Sequence, residues 1–406
     1  MSQFNVIVVG AGEINFGSPE GPWNHTARLE ALLGDSLHVL SLVDPDVKRS
    51  EARLAEKRAT GSPPAVAKAW AATRSHRDLQ QAADDLGQDV TVDLIVLGCP
   101  PHFRGTLDAG KDTDVQMQRL FPHAGGYLIE KPIAAVNPFR SECSKVADKF
   151  ASWKTRTGGV VSIGYMLRYN KAVLKLRELL AETGLVPTCI NARYFMAYEF
   201  AAKLAWWNKA ASCGPVVEQA THFVDLIRFL AGPGNDVCMD TVRATTVEHD
   251  EEAGKLVKQS FDESLIPPAE RVPRVTSAFW KHKRGTIGTL NHGITLHAGS
   301  YDTEIEVLAD GWILRVNNAY DATTTLTVRK PGQSQEQVFH ISDDPFLSEF
   351  ETIVAAIQAR KLAKSNPSMS NIAAPAPLSD FADALKTYEL TWRIRLAAEE
   401  SRTALQ

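Results

Sequence analysis

The chain has 406 residues, 44% of them hydrophobic and 23% charged, with a net charge of −4. That length exceeds one compact core and accommodates two domains. The mildly acidic balance argues against nucleic acid or an anionic membrane surface as the main partner, and no apolar stretch approaches the ~20 residues needed to span a bilayer.

The first apolar run, residues 5–10, is β-branched and continuous, as in a strand buried on both faces. No basic segment precedes it and it leads straight into a glycine turn, so it reads as a strand and not a secretory signal. Gly10 and Gly12 stand at its end. In a dinucleotide-binding turn, the first glycine allows the bend and the second lets the backbone approach a pyrophosphate. Helix-start amides, here at Gly12, Glu13 and Ile14, then supply donors. Asn15 holds the place of the third glycine, and the segment after it lengthens the turn.

Runs of the same kind recur at 37–46, 92–101 and 125–131, with helical segments between them closed by Gly34 and Gly61. This alternation predicts βαβ units and a parallel sheet. Asp44 ends the second run, where an acid commonly accepts from a ribose 2′-hydroxyl and disfavours a 2′-phosphate. That favours NAD, with NADP the other option; the plainer reading of Asp44 is the start of an Asp-Pro turn. Cys99, Pro100 and His102 close the third run. The fourth ends in Glu130-Lys131-Pro132, at the strand end where doubly wound sheets bind ligands. A lysine there stabilises developing negative charge, with Glu130 holding the ammonium; the alternative is a surface ion pair of ~0–1 kcal/mol.

A domain boundary is expected just after this element, giving segments 1–133 and 134–406, with the C-terminal helices able to pack back on the first. Beyond it come a strand and an amphipathic helix (158–184), then several alternating runs that predict a largely antiparallel sheet packed on helices. Asp310-Gly311 marks a hairpin turn. The charged, proline-bearing stretch 250–275 reads as an insertion or exposed arm. Two helical patterns close the chain, joined by a loop at 366–377. Five dispersed cysteines fit reduced thiols in the cytosol, without the ligand spacing of a metal site.

Residues 212–232 read as one helix from Pro215 to Gly232. Val217, Ala220, Val224 and Ile227 form its apolar face, with Glu218, His222 and Asp225 as a polar stripe. His222 is suited to proton transfer near neutrality, with Glu218 orienting it; the alternative is a solvated face with an incidental histidine. In the aromatic group 194–209, Tyr198, Trp206 and Trp207 are candidates for a pocket and the rest, Phe200 among them, for core. His282, His292 and His297 read as surface or interface residues.

Taken in order, the glycine turn, Glu-Lys-Pro, "GYMLRYN" and a Gly-Pro helix bearing acid-x-x-x-His-x-x-Asp resemble the glucose-fructose oxidoreductase/inositol dehydrogenase/MocA family over essentially the whole chain. The resemblance implies an N-terminal Rossmann domain and a C-terminal α/β domain. An open, mainly antiparallel sheet in the latter serves a homodimer or homotetramer. It implies NAD(P)-dependent hydride transfer on a sugar, cyclitol or related ring alcohol. Lys131 and His222 are then catalytic, Glu218 stands where aspartate is usual, and Cys99-Pro100 borders the nicotinamide with His102 just beyond. Tyr165 and Arg168 fall near the substrate, with Tyr198, Trp207 and Asp225 as further contacts. Cys213 stands where glycine is usual. Three other roles belong to the same resemblance: an imine or enone reductase, a glycosidase using NAD for transient oxidation, and a non-catalytic NAD(P)-sensing regulator.

Overall fold

The computed structural model describes residues 3–18, 21–87, 89–199, 201, 203–298, 301–366 and 375–405. Phe200 and most of the 366–377 loop lie outside them. The chain divides into two compact units, one of residues 1–136, 140–166 and 346–385, the other of 137–139, 167–345 and 386–406.

The first unit is built on six strands: β1 (Phe4–Val9), β2 (Leu37–Val43), β3 (Arg74–His76), β4 (Leu94–Leu97), β5 (Gly126–Ile129) and β6 (Val160–Ile163). They pair in parallel in the order β3-β2-β1-β4-β5-β6, the doubly wound Rossmann arrangement. β4, β5 and β6 are buried at every position, which is why their sequences run apolar without alternation. The order of strands reverses between β1 and β4, so the loops leaving these two strands flank the crevice where such sheets take ligands.

This unit is larger than residues 1–133. β6 pairs with β5, and the helix Pro345–Ser365 lays Phe350, Ile353 and Ile357 into the core beside Val8, Val96 and Leu128. Gly125 and Gly126 make room for that helix, since a Cβ on either would come within 3.0 Å of Ile357.

The second unit carries eight strands: β7 (Cys189–Ala197), β8 (Val237–Val247), β9 (Val275–His282), β10 (Ile287–Leu296), β11 (Tyr301–Ala309), β12 (Trp312–Asn317), β13 (Thr323–Arg329) and β14 (Gln337–Ser342). Their order is β14-β13-β12-β11-β7-β10-β9-β8. β7 and β10 run parallel, and the other neighbours are antiparallel. One face packs on the helices Lys171–Thr183 and Thr221–Ala231, and Asp310-Gly311 makes the β11–β12 turn.

Two expectations are corrected here. The stretch 250–275 is not simply an exposed arm. Ile266 and Val272 are buried, and the Arg274 guanidinium donates to Gly254 O and Glu263 Oε2 at 3.0 and 2.6 Å. His282 and His292 are not surface residues, because both point into the packed face and are enclosed. Among the described residues no helix is long and apolar enough to cross a membrane.

Candidate active site

On the first unit, the turn after β1 is shaped by three close approaches. Gly10 has φ +98°, and a Cβ there would meet Gly98 and Cys99 backbone at 3.1 Å. Asn15, in the third-glycine position, donates its side-chain amide to Val9 O and Gly10 O at 3.2 and 2.7 Å. Gly98 must be glycine because any Cβ would fall 2.5 Å from that amide. Gly12 faces open space, and the backbone amides of Gly12 and Ile14 find no acceptor among the described residues. Unengaged amides on an open glycine backbone at the end of β1 fit a pyrophosphate.

Asp44 follows β2 and is buried. Its Oδ2 accepts from Ala11 N at 2.7 Å, and its Oδ1 from Asp46 N and Arg49 Nη2, both at 2.8 Å. Arg49 Nη2 also reaches Oδ2 at 3.1 Å. The carboxylate expected to take a ribose hydroxyl is therefore engaged by protein donors on both oxygens.

At the end of β5, the Lys131–Pro132 peptide is cis. Glu130 is enclosed. Its Oε1 lies 2.8 Å from His25 Nε2, and its Oε2 accepts from Lys131 N at 3.0 Å. The lysine's charge still acts on the carboxylate. Burial pushes the Glu130 carboxyl up, but the hydrogen bond from His25 and the charges of His25, Lys131 and Arg104 outweigh it and hold the group below its ordinary range. Gly164 makes the space, since a Cβ there would strike Glu130 Oε1 at 2.8 Å.

Buried Arg104 donates Nη1 to Cys99 O and Nη2 to Pro132 O, the latter at 2.9 Å. One guanidinium thus fastens the loop after β4 to the loop after β5. Nearby, Asp114 accepts from Gly105 N at 3.1 Å, and burial pushes its carboxyl up to about 6. Burial, then the Arg104 charge, lowers His102. His25, Arg104 and Asp114 carry no signal in the sequence that marks them as partners of this region.

On the second unit, the expected single helix is two. Pro215–Glu218 and Thr221–Ala231 are separated at Gln219-Ala220, where Ala220 N bonds Pro215 O at 3.0 Å in an i→i−5 step. The step interrupts the regular helix between Glu218 and His222. Cys213 precedes them with φ +63°, the left-handed conformation that glycine takes without strain.

Glu218 accepts from Trp206 Nε1 at 3.2 Å. The ring of buried His222 meets Tyr320 edge-on at 6.3 Å between centroids, and Tyr320 packs in turn on Tyr194 and Tyr301. Burial, then neighbouring phenols and the charge of Glu218, raises Tyr194 and Tyr320, so both remain neutral donors across the physiological range. His292, edge-on to Tyr194, is pushed down to about 3 by burial.

The residues expected to contact substrate have other partners. Arg168, Tyr165, Tyr198, Trp207 and Asp225 are each at most 3% exposed. Arg168 grips Asp225 through Nε and Nη2, both at 2.6 Å, and Thr387 Oγ1 adds a third donor to Asp225 at 2.7 Å. Trp207 Nε1 donates to Ala201 O, and Tyr198 Oη accepts from Lys258 N at 2.8 Å. All five side chains are enclosed, and Arg168, Asp225, Trp207 and Tyr198 hold hydrogen-bond partners within the second unit.

Residues 168–312 match the family model described as "Putative oxidoreductase C terminal domain". Two proteins of Schizosaccharomyces pombe, each described as uncharacterized, are 38% identical over 392 residues. The match spans 96% of this chain and 90% and 95% of theirs. The chain belongs to the same family as these two proteins.

Solved structures share the fold. UDP-N-acetylglucosamine 3-dehydrogenase of Acidithiobacillus ferrooxidans aligns over 98% of this chain and 99% of its own, with TM-score 0.66 and 15% identity. A super-repressor mutant of Gal80p from Saccharomyces cerevisiae aligns over 98% and 97%, with 0.69 and 11%. A 3-ketoreductase of Actinomadura kijaniata, in complex with NADP and TDP-benzene, aligns over 98% of each chain, with 0.62 and 13%. The Rossmann sheet plus mainly antiparallel sheet is thus the fold implied by the glucose-fructose oxidoreductase/inositol dehydrogenase/MocA resemblance.

Proposed function

We propose that this protein is an NAD(P)-dependent oxidoreductase acting on a carbinol or carbonyl carbon of a sugar, cyclitol or related ring alcohol. The observation that carries the reading is the open Gly12 turn with unengaged amides, set at the strand-order reversal beside the Cys99-Pro100 loop. The dehydrogenase and the NADP-bound ketoreductase of the same fold support the substrate class.

When bound, the nicotinamide cofactor supplies the hydride donor or acceptor. The amides of Gly12, Glu13 and Ile14 would hold its pyrophosphate, and Cys99, Pro100 and His102 would border the nicotinamide. Lys131 polarises the substrate oxygen, with the enclosed carboxylate of Glu130 bonded to its backbone amide. His222 takes or returns the hydroxyl proton, and Glu218, fixed by Trp206, biases it electrostatically. A homodimer or homotetramer through the eight-stranded sheet, in the cytoplasm, goes with this reading; Phe279 and Ile287 lie exposed on that sheet.

The deciding experiment is calorimetric titration with NADH and NADPH, followed by a screen of sugars, cyclitols and their keto forms at the reduced-nicotinamide absorbance band. Exchangeable binding with substrate-dependent absorbance change is expected. Absence of binding overturns the reading. A nucleotide that copurifies and never exchanges moves it to internal redox chemistry, and turnover confined to imines or enones moves the substrate class.

A further inference from the structure

Resting on the proposed function above, we infer that Tyr194 and Tyr320 read substrate hydroxyls beside His222, so that the substrate is a polyol with a second hydroxyl close to the reacting one. The second unit brings the two phenols together by register. Tyr194 on β7 stands opposite Thr303 of β11, and Thr303 pins the turn that follows β12. Its O accepts from Asn318 N and its Oγ1 from Ala319 N, both at 3.1 Å. Asn318 takes a left-handed φ of +61° there, and the turn lays Tyr320 on Tyr194 with ring centroids 5.5 Å apart. Tyr320 also meets His222 and Phe223 edge-on, at 6.3 and 6.0 Å.

A phenol taken out of water ordinarily finds a hydrogen-bond partner. Among the described residues the hydroxyls of Tyr194 and Tyr320 have none, although Tyr194 is only 5% exposed. The same holds one strand over. His292 pairs with Tyr194 across β7 and β10, is 2% exposed, and has no partner at Nε2 among the described residues. Three polar groups left open on one patch, on the face that carries the helix of His222, mark a place kept for a polar ligand. Its charge is constrained as well. Burial first, then neighbouring phenols and the charge of Glu218, keep both phenols protonated, and that same charge repels a carboxylate or phosphate. Neutral hydroxyls both donate and accept, which matches two phenols and an imidazole. Tyr301, 40% exposed, packs on both rings and carries the group out to the surface. Because Tyr320 borders His222, which handles the reacting hydroxyl, the hydroxyl it reads is a neighbour of that one.

The test compares the full chain with Tyr194→Phe and Tyr320→Phe, each with NADH or NADPH present. Ligand-observed NMR titrations use myo-inositol, D-glucose and D-galactose, with cyclohexanol as a ring lacking the second hydroxyl. The wild type should bind one of the polyols about tenfold or more tighter than cyclohexanol, and each variant should lose about that factor for the polyol. Cyclohexanol and nucleotide affinities should stay within about threefold. Urea midpoints of both variants should equal or exceed that of the wild type, since no internal hydrogen bond is lost. A lower midpoint shows that the hydroxyl is bonded within the fold and overturns the inference. So do cyclohexanol binding as tight as that of the polyols, polyol affinity unchanged in the variants, and absence of polyol binding, which means that water alone fills the patch. Each of these outcomes leaves the cofactor reading standing as long as nucleotide binds. Failure of every nucleotide to bind the wild type overturns the proposed function itself.

Discussion

His25 Nε2 stands 2.8 Å from Glu130 Oε1, a contact between enclosed side chains 105 positions apart. It joins the start of the helix His25–Leu33 to the strand end that carries Lys131, and the edges of Phe346 and Phe350 wall the imidazole in. Removing one partner of an enclosed hydrogen bond leaves the other unsatisfied, so His25→Ala should lower unfolding stability by about 1–3 kcal/mol. The acid dependence follows from Glu130. Its carboxyl is held below the ordinary value of 4.5, so its stabilisation is complete above that value and is lost as pH falls through the folded one. Urea unfolding at stepped pH should show a shallower acid loss in Glu130→Gln than in the wild type; parallel curves would refute the assignment.

Asp114 has the opposite sign. Burial raises it from 3.8 to about 6, so the folded chain binds more protons than the unfolded one between those values. Stability then falls as pH rises through that window and is flat beyond it, by roughly 3 kcal/mol for a shift of this size. Asp114→Asn keeps an acceptor for Gly105 N and cannot ionise. Relative to wild type it should gain about 2–3 kcal/mol between pH 4 and pH 7 in denaturant titrations; a pH-independent difference would mean the carboxyl titrates normally.

Cys213 holds φ +63° ahead of the Pro215–Glu218 helix. A left-handed conformation costs a side chain roughly 1–2 kcal/mol that glycine avoids. Cys213→Gly should therefore be more stable than Cys213→Ala by about 1 kcal/mol, the reverse of the usual ranking of these residues. Thermal or urea unfolding of the two variants decides it, and an alanine variant equal or better would show that the turn relaxes.

For the chemistry, Lys131→Ala and His222→Ala should each cut turnover by about 10²–10⁴. Nucleotide affinity measured by calorimetry should be unchanged in both. Near-normal turnover in either variant would remove that residue from the mechanism.

The parts of the fold that the sequence displays are those where one physical demand dominates. Parallel strands enclosed on both faces must be apolar throughout, so β1, β2, β4 and β5 stand out as runs. β3 does not, being only Arg74-Ser75-His76. β6 is visible as a strand, yet an apolar run does not say which sheet it joins, and pairing with β5 places it beyond the expected boundary. Local motifs located the glycine turn and the Glu-Lys-Pro element, because turns obey short-range rules. The partners of these elements were hidden: His25 and Arg104 act through contacts with no sequence spacing to read. Arg168 and Asp225 show the converse. Both are marked by the sequence as charges on local motifs, and nothing in it says that they stand 2.6 Å apart.

Arg104 gives the strand-end region a mechanical character. Both of its acceptors are backbone carbonyls, which do not titrate, so the fastening of Cys99 O to Pro132 O does not depend on a carboxyl group's protonation as the Glu130 pairing does. Two segments that the chain separates by a whole βα unit are coupled as one stiff plate. Whatever displaces the Cys99-Pro100 loop also displaces the base on which Lys131 rides, and any freedom to open and close must reside outside that plate.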